Sequence, residues 1–244
     1  MKMYHRALTK LGVMTDVVNT TDDLSGYRLI VASSLYLLDQ RMTNDLENCV
    51  RNGATLILTN RTGVKNMNNV CWIKPLPGPL AEAAGVYVSE YDPIGKDAHT
   101  IRMKKNGKTY SCRQWCDILE PSGAEPIAWY EDDFFAGKPS ATVHSLGNGT
   151  VYFLGTIAEE NFYLDFFQDV ADGAGVNRFA GLPEGVQIAV RKKGDKRFLF
   201  LLNLTRKQQS VILGHEYTSL LWERQVGPSL VMEPYGVEIV ELAE

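Results

Sequence analysis

The sequence contains no long apolar run, and nothing in its 244 residues approaches the ~18–20 consecutive apolar residues that span a bilayer. Its N-terminus, Met1-Lys2-Met3-Tyr4-His5-Arg6, lacks the apolar core of a secretory signal. Cysteine is scarce, with four residues, too few for a disulfide scaffold. Neither sign of charge dominates: 25 Lys and Arg stand against 29 Asp and Glu, so the net charge is 25 − 29 = −4. A nucleic-acid surface needs clustered positive charge, which such a balance does not provide. There is no internal repeat and no low-complexity tract. No G-x-G-x-x-G follows a strand pattern, and no G-x-x-x-x-G-K-[ST] occurs. These absences lead us to expect a cytoplasmic protein with reduced thiols, without a membrane or nucleic-acid partner.

What remains is an ordinary globular composition, 45% hydrophobic and 22% charged. The length suits one large domain or two smaller ones. It would also just hold a (β/α)₈ barrel, which starts near ~200 residues. The residue pattern decides against that. Tyr4, Ala7, Leu8 and Leu11 mark one helical face, and Gly12 stops it. Val13–Val18 reads as a short strand and Tyr27–Ala32 as a buried one. Asp39 is placed to cap a helix whose stripe is Met42, Leu46, Cys49 and Val50, ended by Gly53. Ala54–Thr59 is a strand apolar enough to be covered on both faces. Pro79–Ala84 makes a short helix closed by Gly85.

From Val86 to Thr142 strands predominate, Gly147-Asn148-Gly149 signals a tight hairpin, and Thr150–Gly155 is another buried strand. A last helix begins at Glu159-Glu160 and ends at Gly175. Beyond Leu182-Pro183-Glu184-Gly185 only short strands follow, at near-regular spacing. The expected fold is therefore α/β: an open, mostly parallel sheet flanked by helices, followed by a small all-β sandwich domain. The boundary is expected at 180, giving domains 1–180 and 181–244.

Chemistry is sparse. Cys112 and Cys116 frame a C-x₃-C, but a metal site would need two further ligands and none is evident. An amidotransferase-type nucleophile needs a cysteine on a tight strand-to-helix turn. Cys49 instead lies mid-helix, and Cys71 is followed by Trp72 and Ile73. None of His5, His99, His144 or His215 is tied to a cysteine by pattern. No cofactor, metal or catalytic residue is assigned. Glu131, Asp132 and Asp133 form the densest acidic cluster, but adjacent residues on extended chain point to opposite faces. Asp132 and Asp133 are then poorly placed to share one substrate.

Arg61, Lys65 and Trp72 occupy the loop after the Ala54–Thr59 strand, where open α/β sheets place their sites. That loop is either plain surface, with Trp72 packing back on the core, or a surface that meets a partner. Phe134 and Phe135 put one ring on each face and carry the same two readings.

Several blocks resemble, in order, the middle domain of family 42 glycoside hydrolases, the bacterial β-galactosidases. They are Tyr4-His5-Arg6-Ala7-Leu8, Leu11-Gly12-Val13, Leu24 to Ala32, Leu35 to Leu38, Asn52 to Gly63, Pro77 to Leu80, Glu131 to Pro139, and Gly147 to Thr156. Phe198 to Thr205 and Pro234 to Val237 resemble that family's C-terminal β domain. The resemblance implies an amidotransferase-like (flavodoxin-like) fold without amidotransferase chemistry, and a homotrimer. It also implies that the two catalytic glutamates lie in a barrel preceding this region. The sequence is then expected to be the non-catalytic portion that follows. A β-galactoside would be bound only through that barrel and cleaved with retention. Glu131 is no substitute for either glutamate, because it falls in a middle-domain block. Two other readings stand beside this one. A carbohydrate-binding module would draw on the 10% aromatic content and the β domain. An active amidotransferase-type enzyme would need the missing cysteine turn.

Overall fold

The computed structural model describes residues 1–242. The chain forms two compact units. One comprises Met1, Val18–Phe166 and Gly173–Gly175; the other comprises Lys2–Val17, Phe167–Asp172 and Val176–Glu244.

The first unit holds an eight-stranded sheet. Its strands are β1 (Leu29–Ala32), β2 (Thr55–Thr59), β3 (Val86–Met103), β4 (Thr109–Pro121), β5 (Glu125–Tyr130), β6 (Pro139–Leu146), β7 (Gly149–Leu154) and β8 (Thr156–Ala158). The spatial order is β1-β2-β7-β6-β5-β3-β4-β8. Parallel pairing joins β1 to β2 and β2 to β7; the other five pairings are antiparallel. The α/β class stands, and the sheet is mixed rather than mostly parallel. Parallel pairing needs a crossover. The β1–β2 pairing is joined through the helix Gln40–Arg51, and the β2–β7 pairing through the antiparallel strands β3 to β6 that lie between them in the chain.

Gly155 alone separates β7 from β8, so the chain passes from the middle of the sheet to its edge in one step. A side chain there would press on backbone: a Cβ would lie 2.9 Å from the Asp117 carbonyl and 3.2 Å from that of Ser140.

Two helices flank this unit's sheet from within it. The first is Gln40–Arg51, and Asp39 caps it: its Oδ1 accepts from the Met42 N–H at 2.7 Å. This satisfies one of the donors a helix start leaves open. The second is short, Ala81–Ala84, and Gly85 ends it in the left-handed conformation at φ 60°. Leu46, Val50, Leu80, Leu56, Leu58, Val151 and Phe153 make the core between these helices and the sheet. All five residues of β2 are buried. Each fully buried aliphatic side chain there contributes about 1.5–3 kcal/mol.

In the second unit, the helix Lys2–Lys10 buries Tyr4, Ala7 and Leu8. Tyr4 meets Phe167 edge-on at 6.2 Å. The expected strand Val13–Val18 does not form. Val13 makes a single bridge to Arg178, and Met14, Val17 and Val18 are exposed. Without a neighbour to pair with, an apolar run stays coil. The C-terminal strands form three antiparallel sheets. The largest is ordered Val237–Leu242, Lys196–Asn203, Val186–Lys193; Gln209–Ile212 pairs with Ser229–Met232, and Tyr217–Thr218 with Gln225–Val226. Leu199, Leu201, Val211, Leu230, Met232 and Val240 form their common core. Asn203, fully enclosed, donates to the carbonyls of Lys207 and Glu233 at 2.8 Å and ties the loops together. Among the described residues, no helix is long and apolar enough to cross a membrane.

Candidate functional site

The loop leaving β2 carries the most unusual local structure in the first unit. Its backbone is fixed before any ligand arrives. Asn60 N–H donates to the Leu154 carbonyl at 2.7 Å, Ser34 N–H to Thr59 Oγ1 at 2.8 Å, and Gly63 N–H to the Leu35 carbonyl at 2.9 Å. Gly63 sits at φ 66°, and a Cβ there would lie 2.2 Å from the Pro77 carbonyl. Only glycine fits both conditions.

Arg61 also has a positive φ, 66°. A non-glycine residue pays about 1–2 kcal/mol for that conformation, so its placement is over-determined by its surroundings. The reason is the side chain. The guanidinium lies 4.4 Å from the Trp115 ring centroid, 5.2 Å from Tyr36 and 5.6 Å from Tyr91. Tyr91 and Trp115 stack at 5.0 Å, and Arg61 Nη2 donates to Tyr36 Oη at 3.3 Å. Cation–π contact of this kind contributes roughly 0.5–2 kcal/mol, which offsets the backbone cost.

Beneath this cluster is Asp117, fully buried on β4. Trp115 Nε1 donates to its Oδ1 at 2.6 Å, while Oδ2 is buried with no hydrogen-bond partner. Burial pushes its carboxyl up to about 6; the Trp115 bond, the Arg61 backbone N–H and the Arg61 charge act the other way and are outweighed. Lys65 lies 6.0 Å from the Tyr36 ring and donates to Asn69 Oδ1 at 3.0 Å. Leu37, and Met67, Val70 and Ile73 further along the loop, are exposed, Ile73 completely. Leu37 bridges to Lys65, Lys65 bridges to Cys71, and Asn66 N–H donates to the Val70 carbonyl, which ties these segments together.

The expected site residues divide. Arg61 and Lys65 share one surface. Trp72 is half-buried, its Cδ1 within 3.2 Å of where a Cβ on Gly78 would lie, so much of its ring serves packing. Phe134 is 68% exposed and Phe135 only 2%. Phe135 is therefore a core residue, against Tyr130 and His99, and does not face a neighbour.

The acidic cluster also differs from the expectation of opposed faces. His99 Nδ1 lies 2.9 Å from Asp132 Oδ1, and Nε2 lies 3.4 Å from Asp133 Oδ2. Asp133 takes φ 67°, so the chain turns instead of extending and both carboxylates reach one imidazole. Glu131 pairs with Arg102 at 2.9 Å. These contacts shape a loop. Sequence reading missed Tyr36, Tyr91, Trp115 and Asp117, which come from distant positions; alternation along β4 gave no sign that Trp115 would meet Arg61.

The thiols offer no activated nucleophile on a strand-to-helix turn. Cys112 and Cys116 are buried on β4, where the hydrogen bond between them raises the first and lowers the second. Burial raises Cys49.

Residues 1–177 match the family described as "Beta-galactosidase trimerisation domain", and residues 185–242 the one described as "Beta-galactosidase C-terminal domain". The chain is 41% identical, over all 244 residues, to "Beta-galactosidase BgaA" of Clostridium cellulovorans, and covers 37% of that protein. It is 34% identical to "Beta-galactosidase BglY" of Alicyclobacillus acidocaldarius over 98% of this chain and 36% of that one. Among solved structures, β-galactosidase from Bacillus circulans sp. alkalophilus superposes with TM-score 0.95 at 26% identity, covering 99% of this chain and 37% of that one. The Rahnella sp. R3 enzyme superposes with TM-score 0.91 at 28% identity, covering 98% of this chain and 36% of that one. The chain thus spans little more than a third of the length of the relatives it matches.

Proposed function

The chain belongs to the family 42 β-galactosidases, through their trimerisation and C-terminal domains, and on that premise we propose that its work is self-association rather than bond cleavage. The match along residues 1–177 is the observation that carries this reading. The geometry supports it. Arg61 is held on three aromatic rings, and its loop also exposes Met67, Val70 and Ile73. Interface centres favour Arg, aromatic and Met side chains of this kind. A rigid anchor also loses little entropy on binding.

Three copies are expected to assemble, with Arg61, Lys65, Phe134 and the exposed edge of Trp72 facing a neighbour. The proposed boundary between the association domain and the β domain is at residue 180, a reading supported by one family match ending at 177 and the next beginning at 185. The net charge of −4 favours a protein partner over nucleic acid. Four free cysteines suit the cytoplasm.

In a longer protein carrying this region, hydrolysis of terminal β-galactosides with retention would fall to a carboxylate pair outside these residues, about 5–5.5 Å apart. Incubating the purified chain with a chromogenic β-galactoside tests the division of labour. No release above buffer is expected; steady turnover that follows the chain through chromatography overturns it.

A further inference from the structure

We infer that Cys112 and Cys116 are a redox pair, which a low-molecular-weight disulfide converts to an internal disulfide that locks the bulge of β4. Association between copies plays no part in it.

Four residues of regular strand would hold two side chains on one face about 13 Å apart. β4 is not regular there. Cys112 pairs with Ala158 and Cys116 with Thr156 on β8, so a four-residue advance along β4 meets a two-residue advance along β8. A bulge takes up the excess, with Gln114 at φ 71°. On its other side β3 bulges at the same level, with His99 opposite Cys112 and Asp92 opposite Cys116. Residues two apart on a strand share a face and lie about 6.6 Å apart. The bulge thus brings Cys112 and Cys116 to about that spacing on one face. Disulfides bridge Cα atoms about 4.4–6.8 Å apart.

The sulfurs meet as the register requires. Cys112 and Cys116 hydrogen-bond to each other, and Cys116 Sγ lies 3.7 Å from Thr156 Oγ1. Both thiols are free and fully buried. Among the described residues no cluster of three or more His, Cys, Asp or Glu could hold a metal ion, so the pair lacks the ligand set of a structural zinc site.

The exchange needs only the pair and its oxidant. The bond from Cys112 favours the thiolate at Cys116. That thiolate attacks one sulfur of the small disulfide, forming a mixed disulfide and releasing a small thiolate, which takes up the proton Cys116 gave up. Cys112 then loses its proton and attacks the Cys116 sulfur, breaking the mixed bond and expelling the second small thiolate, which takes that proton. Two electrons pass from the cysteines to the oxidant, and two small thiols leave. The ring closes around Arg113, Gln114 and Trp115, and the Trp115 ring lies under the Arg61 guanidinium. The thiol state is thereby coupled to the cluster that holds Arg61.

Glutathione buffers of rising oxidised share test the pair. Wild-type chain is equilibrated in them once without unfolding, and once by unfolding in urea and returning to native buffer, which exposes both thiols as the chain folds. After acid quenching, peptide mass spectrometry reads the disulfides and circular dichroism the fold. A Cys112–Cys116 disulfide is expected in a chain with the spectrum of the reduced form. Amide exchange at Gln114 and Trp115 is expected to slow about tenfold or more on oxidation. Two free thiols in both preparations, with glutathione disulfide alone, would overturn the pair. So would a disulfide found only in chains that have lost their fold. Exchange unchanged by oxidation would overturn the lock.

Discussion

Replacing Asp117 by Asn probes the buried carboxyl under Arg61. In the folded chain burial moves its midpoint from 3.8 to about 6. At 1.36 kcal/mol per tenfold change, ionising Asp117 within the fold costs about 3 kcal/mol. The sign follows from proton affinity. The folded state holds the proton more tightly than the unfolded state, so the contribution is fully present below pH 3.8 and is lost as pH rises through about 6. Asp23 and Asp165 are shifted down by hydrogen bonds from Ser25 and Lys108, so their contributions are lost only as pH falls below the ordinary carboxylate range. They do not obscure the window.

Asn keeps an oxygen for Trp115 Nε1 and puts an amide where the unpartnered Oδ2 lies. Urea unfolding of both proteins between about pH 4 and about pH 7.5 gives the readout. Wild type should lose about 2.4 kcal/mol relative to Asp117→Asn across that range, since at pH 4 the unfolded carboxyl is already partly ionised. A difference between the two that stays constant with pH would refute the reasoning.

Other positions give independent checks. Gly149→Ala would put a methyl 2.1 Å from the Val50 carbonyl and 2.3 Å from that of Ala54, both backbone, and should cost about 3 kcal/mol or more, seen as a lowered Tm. Phe153→Ala empties a fully enclosed site and should cost about 3–5 kcal/mol in chemical denaturation; a loss under about 1 kcal/mol would mean the core is looser than drawn. Native alkylation followed by mass spectrometry should modify exposed Cys71 first and reach Cys112 and Cys116 only after unfolding; rapid native labelling of either β4 thiol would contradict their burial.

Local rules made much of the fold legible. The Asp39 cap, the stripe at Leu46 and Val50, the closing Gly85 and the Gly147-Asn148-Gly149 hairpin are all decided within a few residues, and the chain follows them. Where the outcome depended on distant partners, the pattern was silent. Val13–Val18 has strand composition and no strand to pair with. The antiparallel share of the sheet is set by which strands the turns join, and hydrophobic alternation does not record that.

The site shows the same division. Arg61 and Lys65 were marked by their place after a buried strand. The rings that hold Arg61 come from positions 36, 91 and 115 and meet only in the folded unit. Asp132 and Asp133 were assigned to opposite faces on the assumption of extended chain, and the turn at Asp133 removed it. Of the adjacent phenylalanines, alternation foresaw one exposed ring but not which, and packing of Phe135 on Tyr130 decided it.

The molar mass of the chain in solution tests the central claim most directly. Light scattering behind size exclusion should give about three times the 27.3 kDa of one copy. A mass of 27.3 kDa at every loading concentration would contradict the account.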